Sequence, residues 1–217
     1  FIESITERLT MWISYFLQGL TRILVGAYPR WIGCKPNANQ RIYIANHTSH
    51  IDTMAIWTAL PPNLQKTTHP VAAWDYWANN KFKKYITTQG LNAVYIKRSK
   101  AENSDEDPLQ PLYDTLAKGD SLIIFPEGTR NKDVIPQPFK SGIYHLAKRF
   151  PTVEFIPVYL ENLSRIMPKG EFWPVPLACT ARFGTPLYLQ EGEEKEAFLE
   201  RARQGVIDAC AQKSASN

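Results

Sequence analysis

The sequence predicts an α/β fold: a single domain with a mixed, largely buried β-sheet flanked by helices, plus an N-terminal amphipathic helix. Helical and strand patterns alternate for most of the length, the order from which layered α/β folds are built. The strand patterns are short apolar runs bounded by turn signals, such as Ser121 to Phe125, which marks buried strands. At 217 residues the chain is long enough for a sizeable core and sits near the upper end of the single-domain range. It carries no internal repeat and no low-complexity tract.

Taken in order, residues 9 to 25 place Leu9, Trp12, Ile13, Phe16, Leu17, Leu20 and Leu24 on one helical face, with Thr10, Ser14, Gln18, Thr21 and Arg22 on the other. Spanning a bilayer takes roughly 20 mostly apolar residues, and Gln18 and Arg22 interrupt this run. An amphipathic helix lying on a membrane surface fits the pattern, and so does one packed on the protein's own core. Residues 1 to 30 are assigned to this N-terminal element and residues 31 to 217 to the main domain. Residues 41 to 60 read as strand, short loop and helix, because a β-branched and aromatic run breaks at Asn46-His47 and gives way to an apolar helical pattern. Ser49 is the expected N-cap, Asp52 stands three residues later in the capping-box position, and Pro61-Pro62 stops the helix.

A strand follows at 68 to 73, a helix rich in aromatics and lysines at 75 to 86, and a strand at 92 to 97 that runs into Lys97-Arg98. Glu102 to Asp107 read as a polar loop. A helix from about 108 to 118 ends at Gly119, and the strand Ser121 to Phe125 runs into Pro126-Glu127-Gly128-Thr129-Arg130. A helix over Lys140 to Phe150, a strand over Val153 to Leu160, a Pro-rich connection, a strand over Ala178 to Phe183 and a charged helix from Glu193 to about Cys210 complete the chain. Open α/β sheets bind ligands at the C-terminal ends of their strands, so chemistry is expected just after such ends.

Lys and Arg number 25 against 21 Asp and Glu, a net charge of +4, too small by itself to imply nucleic acid. Lys81, Lys83, Lys84, Lys97, Arg98 and Lys100 nevertheless cluster just before Glu102, Asp105, Glu106 and Asp107. This run suits either a basic surface facing an anionic substrate or bilayer, or an ordinary solvated face. The three cysteines, Cys34, Cys179 and Cys210, form no metal motif, and their odd number argues against a disulfide framework, which favours a reducing compartment.

Two stretches carry chemistry. On a continuous helix, residues five apart point to different faces, but across a loop-to-helix junction His47 and Asp52 are able to meet, because helical side chains lean toward the N-terminus. A carboxylate on one imidazole nitrogen fixes the tautomer and leaves the other nitrogen as a general base. The same residues also fit a simple helix cap with a structural histidine, or a metal site built from His47, His50 and Asp52. The second stretch, Phe125-Pro126-Glu127-Gly128-Thr129-Arg130, joins a strand end, a carboxylate, a glycine that lets backbone approach a ligand, and a guanidinium suited to phosphate. Alone, it reads rather as a turn with a surface Glu127–Arg130 ion pair.

In this order and separation, Asn46-His47-Thr48-Ser49-His50-Ile51-Asp52 and Phe125-Pro126-Glu127-Gly128-Thr129-Arg130 closely resemble the glycerolipid acyltransferases, the lysophosphatidic acid acyltransferase-like enzymes. Gly90 to Arg98, Pro138-Phe139-Lys140-Ser141-Gly142 and Val153 to Tyr159 resemble further blocks of that family, so the similarity spans residues 41 to about 160. The resemblance implies transfer of a fatty acyl group from a thioester, acyl-CoA or acyl carrier protein, to a free hydroxyl of a lysophospholipid. The favoured acceptor is 1-acylglycerol-3-phosphate, giving phosphatidic acid. It also implies His47 as base, Asp52 as its orienter, Arg98 and Arg130 on the acceptor phosphate, Glu127 and Gly128 shaping the glycerol site, and Lys140 at the substrate. Lys97 stands where many members have an acidic residue, an added cation for phosphate or the mark of a different head group.

A thioester is already activated and an alcohol needs only to lose its proton, so the expected chemistry requires no metal, cofactor or covalent enzyme intermediate. The expected location is membrane-associated, on the cytoplasmic face. Competing readings are a non-catalytic lipid or acyl carrier protein binding module and a metal-dependent hydrolase built on His47, His50 and Asp52.

Overall fold

The computed structural model describes residues 27–49, 51–74, 92–96, 107–131, 133, 135–161 and 179–211. Among them, strands β1 (Ala27–Trp31), β2 (Arg41–Ala45), β3 (Thr68–Ala73), β4 (Val94–Ile96), β5 (Ser121–Ile124), β6 (Glu154–Glu161) and β7 (Cys179–Phe183) form one seven-stranded sheet in the order β1-β7-β6-β2-β5-β3-β4. The helices are α1 (Asp52–Ala59), α2 (Pro62–Gln65), α3 (Gln110–Ala117), α4 (Gly142–Arg149) and α5 (Lys195–Ala211). β6, β2, β5, β3 and β4 run parallel to one another, while β7 is antiparallel to β6 and parallel to β1. The sheet is therefore mixed and covered on both faces, as the alternation of patterns predicts.

The central strand shows how the layers are divided, since successive side chains of a strand face opposite ways. Ile42 and Ile44 join a core with Leu112, Leu116, Ile143, Leu146, Phe155 and Phe198, beneath α3, α4 and α5. Tyr43 and Ala45 join a second core with Ile56, Leu60, Ile156, Val158 and Phe183, beneath α1. Each such fully buried aliphatic side chain contributes about 1.5–3 kcal/mol, so the central strands are the best-anchored part of the molecule. Arg41 is buried at the N-terminal end of β2 and is neutralised there by Glu154, its Nε donating to Oε2 at 2.7 Å.

Three features depart from the sequence-based expectation. Ala27–Trp31 forms strand β1, although nothing in its pattern announces it and the boundary drawn at residue 30 falls inside it. It is an edge strand, which tolerates Pro29, and Trp31 stacks on Phe183 of β7 with ring centroids 3.9 Å apart. Secondly, Ser49 does not cap α1: the N-cap is Ile51, with no side-chain cap bond. The Asp52 carboxylate instead reaches back to the Ser49 N–H at 2.8 Å, the reciprocal half of a capping box, while Ser49 Oγ accepts from the Ile51 N–H at 3.4 Å. Thirdly, the Pro61-Pro62 stop is followed at once by the short helix α2, with Pro62 in its first turn, where a missing N–H costs nothing.

Pro157 interrupts a central strand without breaking the sheet. In a strand the N–H and C=O of one residue face the same side; the Pro157 carbonyl accepts from the Gly184 N–H at 2.8 Å, just past the end of β7. The missing donor thus falls where the ladder has already ended. The expected N-terminal helix, the helix at 75 to 86, Lys97, Arg98 and His50 lie outside the described residues. Among the described residues no helix is long and apolar enough to cross a membrane.

Candidate active site

Because β2, β3, β4 and β5 are parallel, the segments that leave their C-terminal ends gather along one edge of the sheet. At the end of β2 the Asn46 side chain takes over from the backbone ladder. Its Oδ1 accepts the Leu160 N–H at 2.8 Å and its Nδ2 donates to the Leu160 carbonyl at 3.2 Å. The main chain is thereby released from the sheet one residue before His47.

His47 is then held from four sides. Its N–H donates to Glu127 Oε1 at 2.8 Å, and its carbonyl accepts from the Asn131 N–H at 2.8 Å. Its ring stacks on Phe125 with centroids 4.3 Å apart and planes 24° from parallel. Its Nδ1 donates to Asp52 Oδ2 at 2.8 Å, and that same oxygen accepts the N–H groups of Thr48 at 2.6 Å and Ser49 at 2.8 Å. Three donors on one oxygen lock the carboxylate in place. Asp52 is fully buried whereas the His47 side chain is 22 % exposed, so the imidazole is accessible and the carboxylate is not. With Nδ1–H committed to Asp52, Nε2 carries the lone pair.

The second motif leaves β5 as a tight turn. The Gly128 N–H donates to the Phe125 carbonyl at 3.1 Å, and Gly128 has φ +72°, a region open to glycine but strained for other residues. A Cβ at position 128 would lie 2.7 Å from both Cε and Nζ of Lys140, so the Lys140 side chain lies directly across this glycine. The Lys140 N–H donates to the Pro126 carbonyl at 2.9 Å and fixes the two segments side by side.

Beside these residues opens a cavity of about 680 Å³, within the range of small-molecule sites. His47, Gly128, Arg130 and Lys140 line it, together with Val71, Ile96, Leu109, Leu112, Ile143 and Leu146. Arg130 and Lys140 are exposed, whereas Leu112, Ile143 and Leu146 are buried in the core beneath α3 and α4. The cavity therefore joins an imidazole and two cationic side chains to an apolar interior, a division suited to an amphiphilic molecule.

Of the residues singled out in the sequence, His47 and Asp52 meet as expected, and Gly128, Arg130 and Lys140 reach the same cavity. Glu127 does not line it: its carboxylate is 4 % exposed and occupied on both oxygens, by the N–H groups of His47 and of Gln137 at 2.9 Å. Lys97 and Arg98 lie outside the described residues; Ile96, immediately before them in the chain, is on the cavity wall. The sequence reading passed over Asn46, whose signal was a polar side chain at the end of an otherwise apolar strand, and His145, which lines the cavity from α4. His50, the third member of the metal trio weighed from the sequence, lies outside the described residues, and His47 Nδ1 and Asp52 Oδ2 are hydrogen-bonded to each other. Cys179, buried near Asp52, has its thiol pushed up to about 12, by burial first and by the Asp52 charge second, so it is no thiolate nucleophile at neutral pH.

With this geometry in view, a family profile described as "Acyltransferase" matches residues 34–161. The chain is 28 % identical over 165 residues to a 1-acyl-sn-glycerol-3-phosphate acyltransferase of Cocos nucifera, covering 76 % of this chain and 51 % of that protein. It is 25 % identical over 174 residues to the protein of the same name from Limnanthes douglasii, covering 80 % and 59 % respectively. The chain thus spans little more than half the length of these curated relatives. Among solved structures, the 1-acyl-sn-glycerophosphate (LPA) acyltransferase PlsC of Thermotoga maritima has a similar fold, with a TM-score of 0.68 at 19 % identity over 96 % of this chain and 84 % of that one.

Proposed function

The chain belongs to the acyltransferase family, and from that premise we propose that it transfers a fatty acyl group from an acyl thioester to a free hydroxyl of a lysophospholipid. The acceptor in this reading is 1-acylglycerol-3-phosphate, and the product phosphatidic acid. The observation that carries it is the 2.8 Å bond from His47 Nδ1 to Asp52 Oδ2 at the wall of a cavity that is cationic outside and apolar within.

Nε2 of His47 removes the acceptor hydroxyl proton as the oxygen attacks the thioester carbonyl carbon. The carbon–sulfur bond then breaks, and the proton passes from the imidazolium to the departing thiolate. Asp52 holds the tautomer that leaves Nε2 free and stabilises the imidazolium between the two proton transfers. Arg130, with a planar set of donors, pairs with the acceptor phosphate, and Lys140 adds a second cation beside it. The apolar wall of Leu112, Ile143 and Leu146 receives the acyl chain, where each buried methylene is worth about 0.8 kcal/mol.

Acceptor and product are lipids, so the reading places the cavity at a membrane surface, on the cytoplasmic face, with the N-terminal helix as the docking element. The donor is acyl-CoA or acyl carrier protein. The test is an acyl-transfer assay of the purified protein over a panel of lysolipid acceptors, with both donor types and with His47→Ala as control. Transfer confined to phosphate-bearing lysolipids and abolished in His47→Ala is expected. Undiminished transfer in the His47→Ala protein would remove the mechanism, and loss of transfer on adding a chelator would favour a metal-dependent route.

A further inference from the structure

We infer that Glu127 is a positioning residue for the base and makes no contact with the acceptor, an inference that rests on acyl transfer at His47. The sequence motif puts Glu127 beside Gly128 and Arg130, both on the cavity wall, but the fold turns its carboxylate the other way. It is 4 % exposed, absent from the cavity lining, and takes one N–H on each oxygen. A carboxylate is a pure acceptor, and two inward-pointing backbone donors are what it is suited to satisfy. Those donors come from segments far apart in the chain, His47 lying 80 residues away and Gln137 only 10. An anionic group next to a phosphate would, besides, oppose the ligand that Arg130 attracts.

The consequence is mechanical. The segment from 127 to 131 grips the peptide of His47 on both sides, at N–H through Glu127 and at C=O through the Asn131 N–H. Asp52 sets which nitrogen carries the proton, and Glu127 sets where the ring stands over the cavity. Displacing a reacting group by about 1 Å costs on the order of 100-fold in rate, so a buried tie that never meets substrate still governs turnover.

Glu127→Gln tests this with the full chain, because an amide keeps the shape but has one acceptor oxygen for two donors. The expected result is a fall in kcat of roughly 10- to 100-fold with the acceptor KM within about twofold of wild type. Arg130→Ala, measured alongside, gives the opposite pattern, a raised acceptor KM. The independent readout is ¹⁵N NMR of the His47 imidazole, in which the Nδ1–H signal of the wild type shifts or broadens in Glu127→Gln. A raised acceptor KM with unchanged kcat would make Glu127 a substrate contact and overturn the inference. Wild-type kinetics, or a fall in kcat with an unaltered His47 spectrum, would overturn it equally. Glu127→Asp, too short to reach both donors, replaces the Gln variant if that one does not fold, with the same outcomes. A wild-type protein without acyl transfer on any acceptor would refute the proposed function, while the imidazole spectra would still decide the role of Glu127.

Discussion

Asp52→Asn separates the two jobs that Asp52 performs, tying the loop before α1 and orienting His47. The amide has nearly the shape of the carboxylate, so its oxygen is able to remain at the Oδ2 position and go on accepting from Thr48 and Ser49. Each of the three hydrogen bonds loses its charge, falling from about 1.5–3 to about 0.5–1.5 kcal/mol. Against this, a fully buried charge is removed whose Oδ1 has no hydrogen-bond partner among the described residues, and desolvation of such a charge costs several kcal/mol. The two effects oppose each other, and the expected change in stability is no more than about 2 kcal/mol, a shift in Tm of about 4–8 °C. Catalysis has no such compensation. The imidazolium loses its anion even with the amide oxygen at the Oδ2 position, and in a Ser-His-Asp triad replacing the aspartate by asparagine costs about 10⁴-fold. The expectation is a fall in kcat of about 100- to 10,000-fold in a continuous assay of thiol release, with Tm followed in parallel by circular dichroism. A kcat close to wild type would show that Asp52 only ties the loop, and the base would have to be sought elsewhere.

Arg130→Ala is expected to raise the acceptor KM roughly 10- to 150-fold, the worth of a charged hydrogen bond, and to leave the donor KM unchanged; equal constants for both proteins would remove Arg130 from the phosphate. Glu154→Ala strips the carboxylate from a buried Arg41 and should cost about 3–5 kcal/mol at neutral pH, read from denaturant midpoints. Burial alone would raise the Glu154 pKa, but hydrogen bonds from Asn39 and Arg41 outweigh it and hold the group below its ordinary value. The folded value being the lower, this stabilisation is present above the unfolded pKa of about 4.3 and fades as pH falls through the folded value, so the penalty of Glu154→Ala should shrink as the solution is acidified below the unfolded pKa. A penalty independent of pH would show that the ion pair is not its source. Trp12→Ser combined with Phe16→Ser is expected to reduce co-sedimentation with anionic vesicles without lowering Tm, because interfacial helices bind by buried apolar area. A lowered Tm with undiminished vesicle binding would place that helix on the protein core instead.

What the sequence by itself determined follows from how local the underlying physics is. Strands such as Arg41–Ala45 and Ser121–Ile124 were legible because burial on both faces writes a continuous apolar run into a few adjacent residues. The His47–Asp52 pair was legible too, its members being five residues apart across a loop-to-helix junction that local turn chemistry announces. Elements whose stability comes from distant partners left no such mark. β1 exists because β7 offers it a ladder and Phe183 a stacking face for Trp31, neither of which is written in Ala27–Trp31. Asn46 answers to Leu160, 114 residues away, and Glu127 to His47, 80 residues away. The motif around Gly128 named the right residues, yet only the tertiary structure decided that Arg130 and Lys140 face the cavity while Glu127 turns its back to it. Spacing along a chain specifies which side chains a turn can offer; the donors and acceptors that other strands bring to that turn decide which of them the ligand will meet.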